Sequence, residues 1–175
     1  MLAAFYYPLS FPVGTVVKAL GLAEMNARKG GFVDLEQYVR LSEAELVSGT
    51  GGSVDVRSIE EVLKFAHQMG LAKLEADACK VSAENSLRVG DVGQAGRLAR
   101  IGIGIAARNG MRIRVTAFLV LLGRIAAKAQ RSEMSLAMLE SAIARAKAQG
   151  YHLQVQVGER VLRAIREGSP APPRG

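Results

Sequence analysis

Tryptophan is absent from this chain of 175 residues, and aromatic residues make up only 5% of it, although 49% of its residues are apolar. β-Sandwiches and β-barrels draw on aromatic and β-branched side chains. A composition dominated by alanine and aliphatic residues suits close-packed helices better. The chain is also long enough for one domain with a real hydrophobic core. Together these features predict an all-α fold.

Cysteine and histidine are nearly absent as well. The single cysteine, Cys79, excludes an intramolecular disulfide, and it stands beside apolar residues, which predicts a small core side chain. His67 and His152 are the only histidines, and two histidines without carboxylate spacing form neither a metal site nor a catalytic triad. Gly102 and Gly104 resemble half of a dinucleotide fingerprint, but no predicted strand precedes them. We therefore expect no enzyme activity, cofactor or metal.

The amino-terminal stretch lacks the marks of a targeting segment. It is apolar, but it has no basic n-region and no small-residue cleavage site. Pro8 and Pro12 interrupt it well short of the roughly 20 residues that a membrane-spanning helix needs. We expect no membrane association and a cytoplasmic location. Residues 1–12 form an apolar lead-in that either folds onto the first helix or docks into another subunit and so makes a homo-oligomer.

Acidic residues are scarce in the second half of the chain. Residues 1–87 contain 8 Lys and Arg against 11 Asp and Glu, whereas residues 88–175 contain 15 against 5. Such asymmetry indicates binding to nucleic acid or to an acidic partner, or association of neighbouring molecules. Nucleic-acid sites usually interleave aromatic residues with the cations, and the basic half has only Phe118 and Tyr151. An acidic protein surface is therefore favoured over nucleic acid.

Glycines recur at a fixed interval. Gly30, Gly70, Gly110 and Gly150 stand 40 residues apart. One apolar helical pattern ends before each of these glycines, and a second one begins after it. Ala66, Ala106 and Ala146 keep the same phase, as do Leu63, Ile103 and Ile143. Self-similarity at such a period is typical of a solenoid of stacked helix pairs, whereas an up-down bundle has no reason to keep that phase.

The periodicity predicts eight helices between residues 13 and 167, followed by a proline-rich disordered tail at 168–175. Asp55 or Ser58 is placed to cap the third helix, and Asp91 the fifth. The apolar run at 117–123 predicts burial on more than one side. The predicted spans are 13–28, 33–47, a helix ending near 69, 72–88, 92–109, 112–128, 132–149 and 152–167.

Residues 72–150 carry the marks of a known repeat. These marks are a small residue late in a first helix, a glycine or polar turn, and small and apolar residues along a second helix. One copy comprises Leu122, Gly123, Gln130, Ser135, Leu139 and Ala142, and the copy before it comprises Ser82, Ala83, Gly90, Ala95, Ala99 and Gly102. The pattern resembles the tetratricopeptide repeat, in the long 40-residue variety of MalT-like bacterial regulators. The resemblance implies a right-handed α-solenoid of antiparallel helix pairs.

The same resemblance implies a concave groove that binds an extended peptide. The positions that match it are Arg40, Lys80, Glu84, Arg88, Arg124, Lys128 and Arg160. Such a groove is more basic than acidic and suits an acidic protein or peptide. The alternative is that these residues form ordinary solvated helix faces.

Two functions are compatible with this pattern. The first is a non-catalytic protein–protein interaction scaffold or adaptor that binds a partner segment in the groove. The second is a regulatory or ligand-sensing domain cut from a larger signalling or transcription-regulating protein.

Overall fold

A computed structural model describes residues 13–49, 52, 54–129 and 132–167. All regular secondary structure in these ranges is helical, and it comprises α1 (Val13–Gly30), α2 (Val33–Gly49), α3 (Val56–Gln68), α4 (Ala72–Arg88), α5 (Val92–Arg108), α6 (Arg112–Lys128), α7 (Ser132–Ala148) and α8 (His152–Arg166). Each helix lies within about two residues of a predicted one. The predicted lead-in (1–12), the predicted tail (168–175) and the turn residue Gln130 lie outside the described residues.

The chain divides into two compact units between Val81 and Ser82, within α4. In the first unit, α1 packs against α2 and α2 against α3. In the second unit, each of α5, α6 and α7 packs against the helix that follows it, and α6 also packs against α8. Packing between consecutive helices, with a further contact to the next helix but one, is the arrangement of an all-α helical repeat. The predicted fold class is confirmed.

Glycines end the helices in a left-handed conformation. Gly70 has a φ of 65°, its N–H donates to the carbonyl of His67, and the N–H of Leu71 donates to the carbonyl of Ala66 at 2.9 Å. This is the Schellman motif, in which a residue with positive φ reverses the chain and satisfies the last helical carbonyls. The same hydrogen-bond pattern occurs at Gly31, Gly90, Gly110 and Gly150.

Two of these glycines refine the predicted series. The first helix was expected to stop at Gly30 and Gly31; α1 includes Gly30, and the positive φ of 70° belongs to Gly31. The carbonyl of Ala27 accepts from the N–H of Phe32, which places the turn at Gly31. Gly90 has a φ of 91° and lies midway between Gly70 and Gly110. The turn glycines therefore mark single helices of a 20-residue module, and two modules make the 40-residue pair.

The start of α3 departs from this spacing. The starts of helices α4 to α8 are 20 residues apart. Helix α3 begins at Val56, which is three residues later than a 20-residue step from the start of α2 at Val33. Asp55 causes the delay, since its side chain accepts a hydrogen bond from the N–H of Arg57 at 3.1 Å and caps the helix. Ser58 lies inside α3, so Asp55 and not Ser58 is the cap. Asp91 caps α5 as predicted, by accepting from the N–H of Gln94.

The core of the first unit is formed by α2, α3 and α4. Leu41 of α2 and Leu74 of α4 are buried against the apolar face of α3. That face comprises Ile59, Val62 and Ala66, which are all buried. Burial of such aliphatic side chains stabilises the unit by about 1.5–3 kcal/mol for each large residue.

The core of the second unit centres on α6. As predicted, α6 is buried on more than one side, through Thr116, Phe118, Val120, Leu121, Gly123, Ile125 and Ala126. Gly123 permits a close approach of α7, because a methyl group added there would lie 2.6 Å from Cγ of Leu139. The hydroxyl of Ser135 donates to the carbonyl of Gly123 at 2.8 Å, so the same pair of helices is also joined by a buried hydrogen bond.

Candidate partner-binding surfaces

Arg40 of α2 belongs to an ionic network within the first unit. Its Nη2 lies 2.9 Å from Oε1 of Glu36, its Nε lies 3.7 Å from Oε1 of Glu24, and its Nη1 lies 3.8 Å from Oε2 of Glu61. Glu24 and Glu36 also pair with Arg28 and raise its pKa, and the hydrogen bond that Arg28 donates to Glu36 contributes most. The predicted groove cation is therefore shared among three carboxylates from three helices.

Lys80 of α4 is also engaged. Its Nζ lies 2.6 Å from Oε1 of Glu45 on α2, and the lysine side chain is only 18% exposed. Two turns earlier on the same side of α4, Nζ of Lys73 lies 5.3 Å from the centroid of the Tyr38 ring, which is within cation–π range. Both contacts join α4 to α2 and fix the orientation of the two even-numbered helices of this unit.

The second unit contains the other five predicted groove residues. Glu84 and Arg88 are one turn apart near the end of α4, and Arg124 and Lys128 are one turn apart near the end of α6. Nη1 of Arg124 lies 3.9 Å from Oε1 of Glu84, so this ion pair links the end of α6 to the end of α4. Nη2 of Arg88 donates to Oδ1 of Asn85 at 3.0 Å. Arg160 is exposed on α8, which packs against α6.

The five predicted groove residues of the second unit are four cations and one carboxylate, and the ion pair between Arg124 and Glu84 joins two of them. We refer to these five residues as the surface of the even-numbered helices. Glu84 is 8% exposed and Arg124 is 19% exposed at its side chain, whereas Arg88, Lys128 and Arg160 are exposed to solvent. Charge–charge attraction in such a half-buried place is stronger than on an open surface, because less water screens it. The sequence pattern predicted the positions, but it did not show that Arg40 and Lys80 are paired with carboxylates.

A second basic surface lies on α5. Arg97, Arg100 and Arg108 are exposed there, and neither α5 nor α6 contains an acidic residue. The signal in the sequence is the absence of Asp and Glu between Asp91 and Glu133. The excess of cations in the second half is evident from the sequence, and their place on one face of α5 follows from helical spacing, since Ala95, Ala99 and Ala106 are buried on the other face.

Cys79 is buried as predicted, at 1% exposure. Burial raises the pKa of its thiol to about 12, and the nearby charge of Glu75 adds to the shift. Because the thiolate is the reactive form of cysteine, we expect the folded chain at pH 8 to resist modification by Ellman's reagent. The same chain in guanidinium chloride should release one equivalent of thionitrobenzoate. Labelling of the folded chain at the rate of a free cysteine peptide would contradict the buried position.

Within the described ranges, no group of three or more His, Cys, Asp or Glu side chains is placed to hold a metal ion. In the same part of the chain, no helix combines the length and the apolar character needed to cross a bilayer.

Comparison with family models, with curated proteins and with solved structures gives no match for this chain. The resemblance to the tetratricopeptide repeat therefore rests on the sequence pattern.

Proposed function

We propose that the chain is a non-catalytic scaffold that binds a segment of another protein through its even-numbered helices. The observation that supports this most lies in the second unit, where Arg124 of α6 lies 3.9 Å from Glu84 of α4, and where Arg88, Lys128 and Arg160 are exposed on α4, α6 and α8. Functional side chains placed on packed helices are held more accurately than side chains on loops.

An acidic segment suits this surface for two physical reasons. Arginine presents a planar fork of donors that binds a carboxylate through two parallel hydrogen bonds, and such charge-assisted bonds are about twice as strong as neutral ones. Arg124 is already ordered by Glu84 at 3.9 Å, so it loses less conformational freedom when a ligand arrives. Lys128, one turn away and exposed, adds a second attachment point.

The test is charge reversal at two exposed positions of the surface, Lys128→Glu with Arg160→Glu. Neither side chain is buried, so the fold should persist. We expect proteins that co-purify with the tagged chain to be recovered at least about tenfold less, since each lost charged contact corresponds to about 1.5–3 kcal/mol. The measurement is affinity purification with quantitative mass spectrometry, accompanied by circular dichroism.

The matched control reverses two exposed cations of α3, through Arg57→Glu with Lys64→Glu. It changes the net charge by the same amount at a site outside the proposed surface. We expect recovery of the same proteins as with the unmodified chain. Equal recovery by both double variants, or no specific partner of the unmodified chain, would contradict the proposal.

A further inference from the structure

The exposed side of α5 carries a continuous basic stripe. Arg97, Ile101, Gly104 and Arg108 follow one another at helical spacings of four, three and four, so they lie along one line of the helix surface. Arg100 lies beside this line. We call these five residues the α5 stripe.

The cations of the α5 stripe are available to a ligand. Among the residues that the structure describes, Arg97, Arg100 and Arg108 form no ion pair. Arg97 donates to the side-chain oxygen of Gln94, from Nη2 at 2.7 Å and from Nε at 3.0 Å. A hydrogen bond to a neutral amide leaves the positive charge uncompensated, so the stripe attracts anions.

Each arginine of the stripe lies close to a glycine four residues before it. A methyl group added at Gly93 would lie 3.8 Å from Nη1 of Arg97, and one added at Gly104 would lie 3.5 Å from Nη1 of Arg108. Gly96 has the same relation to Arg100, at 3.5 Å from Nη2. With no side chain beneath them, the guanidinium groups lie along the helix surface. A surface ordered in this way costs less conformational entropy to bind.

Ile101 distinguishes between the two classes of anionic partner. It is 54% exposed and lies between Arg97 and Arg108, next to the bare backbone of Gly104. A phosphate backbone has no apolar group that could pack against an isoleucine. A peptide with an apolar residue between its carboxylates could instead bury Ile101 against that residue. Interfaces between proteins gain most from an apolar anchor surrounded by polar contacts.

We propose that the α5 stripe is a second docking site of this chain, and that it takes an acidic protein segment with an apolar residue between its carboxylates. The site is separate from the surface of the even-numbered helices and does not depend on it. At about 1.5 Å per helical residue, Ile101 lies about 6 Å from Arg97 and about 10 Å from Arg108. An extended ligand advances about 3.3 Å per residue and returns to the same face every second residue. Acidic side chains two residues from the apolar one on one side and four residues on the other, about 7 Å and about 13 Å away, therefore face the stripe within reach of the long arginine side chains.

The probe is therefore a fluorescein-labelled peptide in which a leucine lies two residues from one glutamate and four residues from another, together with the peptide of reversed order. A second peptide replaces the leucine by serine, and a single-stranded oligonucleotide of 20 thymidines represents nucleic acid. Binding to the full chain is measured by fluorescence anisotropy at about 0.15 M salt, where long-range attraction is screened.

We expect the leucine peptide to bind at least about fivefold more tightly than the serine peptide, since one buried apolar residue contributes on the order of 1 kcal/mol or more. Ile101→Ser should abolish this difference, and Arg97→Glu with Arg108→Glu should weaken both peptides by at least about tenfold. The variant with Lys128→Glu and Arg160→Glu should bind the leucine peptide as the unmodified chain does, which separates this site from the proposed scaffold surface.

Three results would overturn the α5 site. One is equal binding of both peptides by the unmodified chain. Another is unchanged peptide binding by the Arg97→Glu and Arg108→Glu variant. The third is tighter binding of the oligonucleotide than of either peptide, with no response to Ile101→Ser, which would assign the stripe to nucleic acid instead.

Discussion

Replacement of Phe118 by alanine is expected to lower the free energy of unfolding of the second unit by about 3–5 kcal/mol, the usual cost of a large buried aromatic side chain. Phe118 is 1% exposed and has the largest volume among the fully buried side chains of the described ranges. Its loss leaves a cavity in α6, the helix against which α5, α7 and α8 all pack. The measurement is urea unfolding followed by circular dichroism.

Ile113→Ala provides the control on the same helix. Ile113 is 42% exposed, so truncating it removes few buried contacts, and we expect a change below about 1 kcal/mol. Equal destabilisation by the two variants would show that Phe118 is not the central core residue described above.

Gly123→Ala is expected to destabilise the chain by about 1–3 kcal/mol, although alanine is the better helix former. The added methyl group would lie 2.6 Å from Cγ and 2.9 Å from Cδ2 of Leu139. Leu139 is fully buried, so it has no room to move away, and α6 and α7 would have to separate. This separation would also lengthen the hydrogen bond from Ser135 to the carbonyl of Gly123. The same urea titration measures the effect.

Gly104→Ala in α5 is the matched control, and its expected effect has the opposite sign. A methyl group there would meet only Nη1 of Arg108, at 3.5 Å, which is an ordinary contact. The gain in helix propensity should then prevail and stabilise the chain by about 0.5–1 kcal/mol. Stabilisation by both alanine substitutions would refute the close approach at Gly123.

The helices were predictable from the sequence because their ends carry local signals. Gly70, Gly110 and Gly150 supply the positive φ of each Schellman turn, and Asp91 supplies a cap, so the chain marks its own boundaries. The buried faces were also predictable, since Ala66, Ala106 and Ala146 keep the helical phase and all three are fully buried. Where Gly30 and Gly31 adjoin, the sequence does not show which of them turns the chain, and the hydrogen bond from the N–H of Phe32 to the carbonyl of Ala27 assigns the turn to Gly31.

The ion pairs were predictable from the sequence only where the two partners lie one helical turn apart. Pairs one turn apart, such as Glu36 and Arg40, follow from helical spacing. Lys80 and Glu45 are 35 residues apart in sequence, and their contact requires the packing of α4 against α2. The exposed side of α5 follows from the phase of Ala95, Ala99 and Ala106, which are buried, so the position of its arginines on the opposite side follows from helical spacing.

The central claim is that the second unit binds a partner through Lys128, Arg160 and their neighbours on the even-numbered helices. The most direct test is the dissociation constant of the principal co-purified protein, measured by calorimetry for three forms of the chain. The proposal predicts that Lys128→Glu with Arg160→Glu weakens binding at least about tenfold, while Arg57→Glu with Lys64→Glu leaves the constant within about twofold of the unmodified value. Equal dissociation constants for all three forms would contradict it.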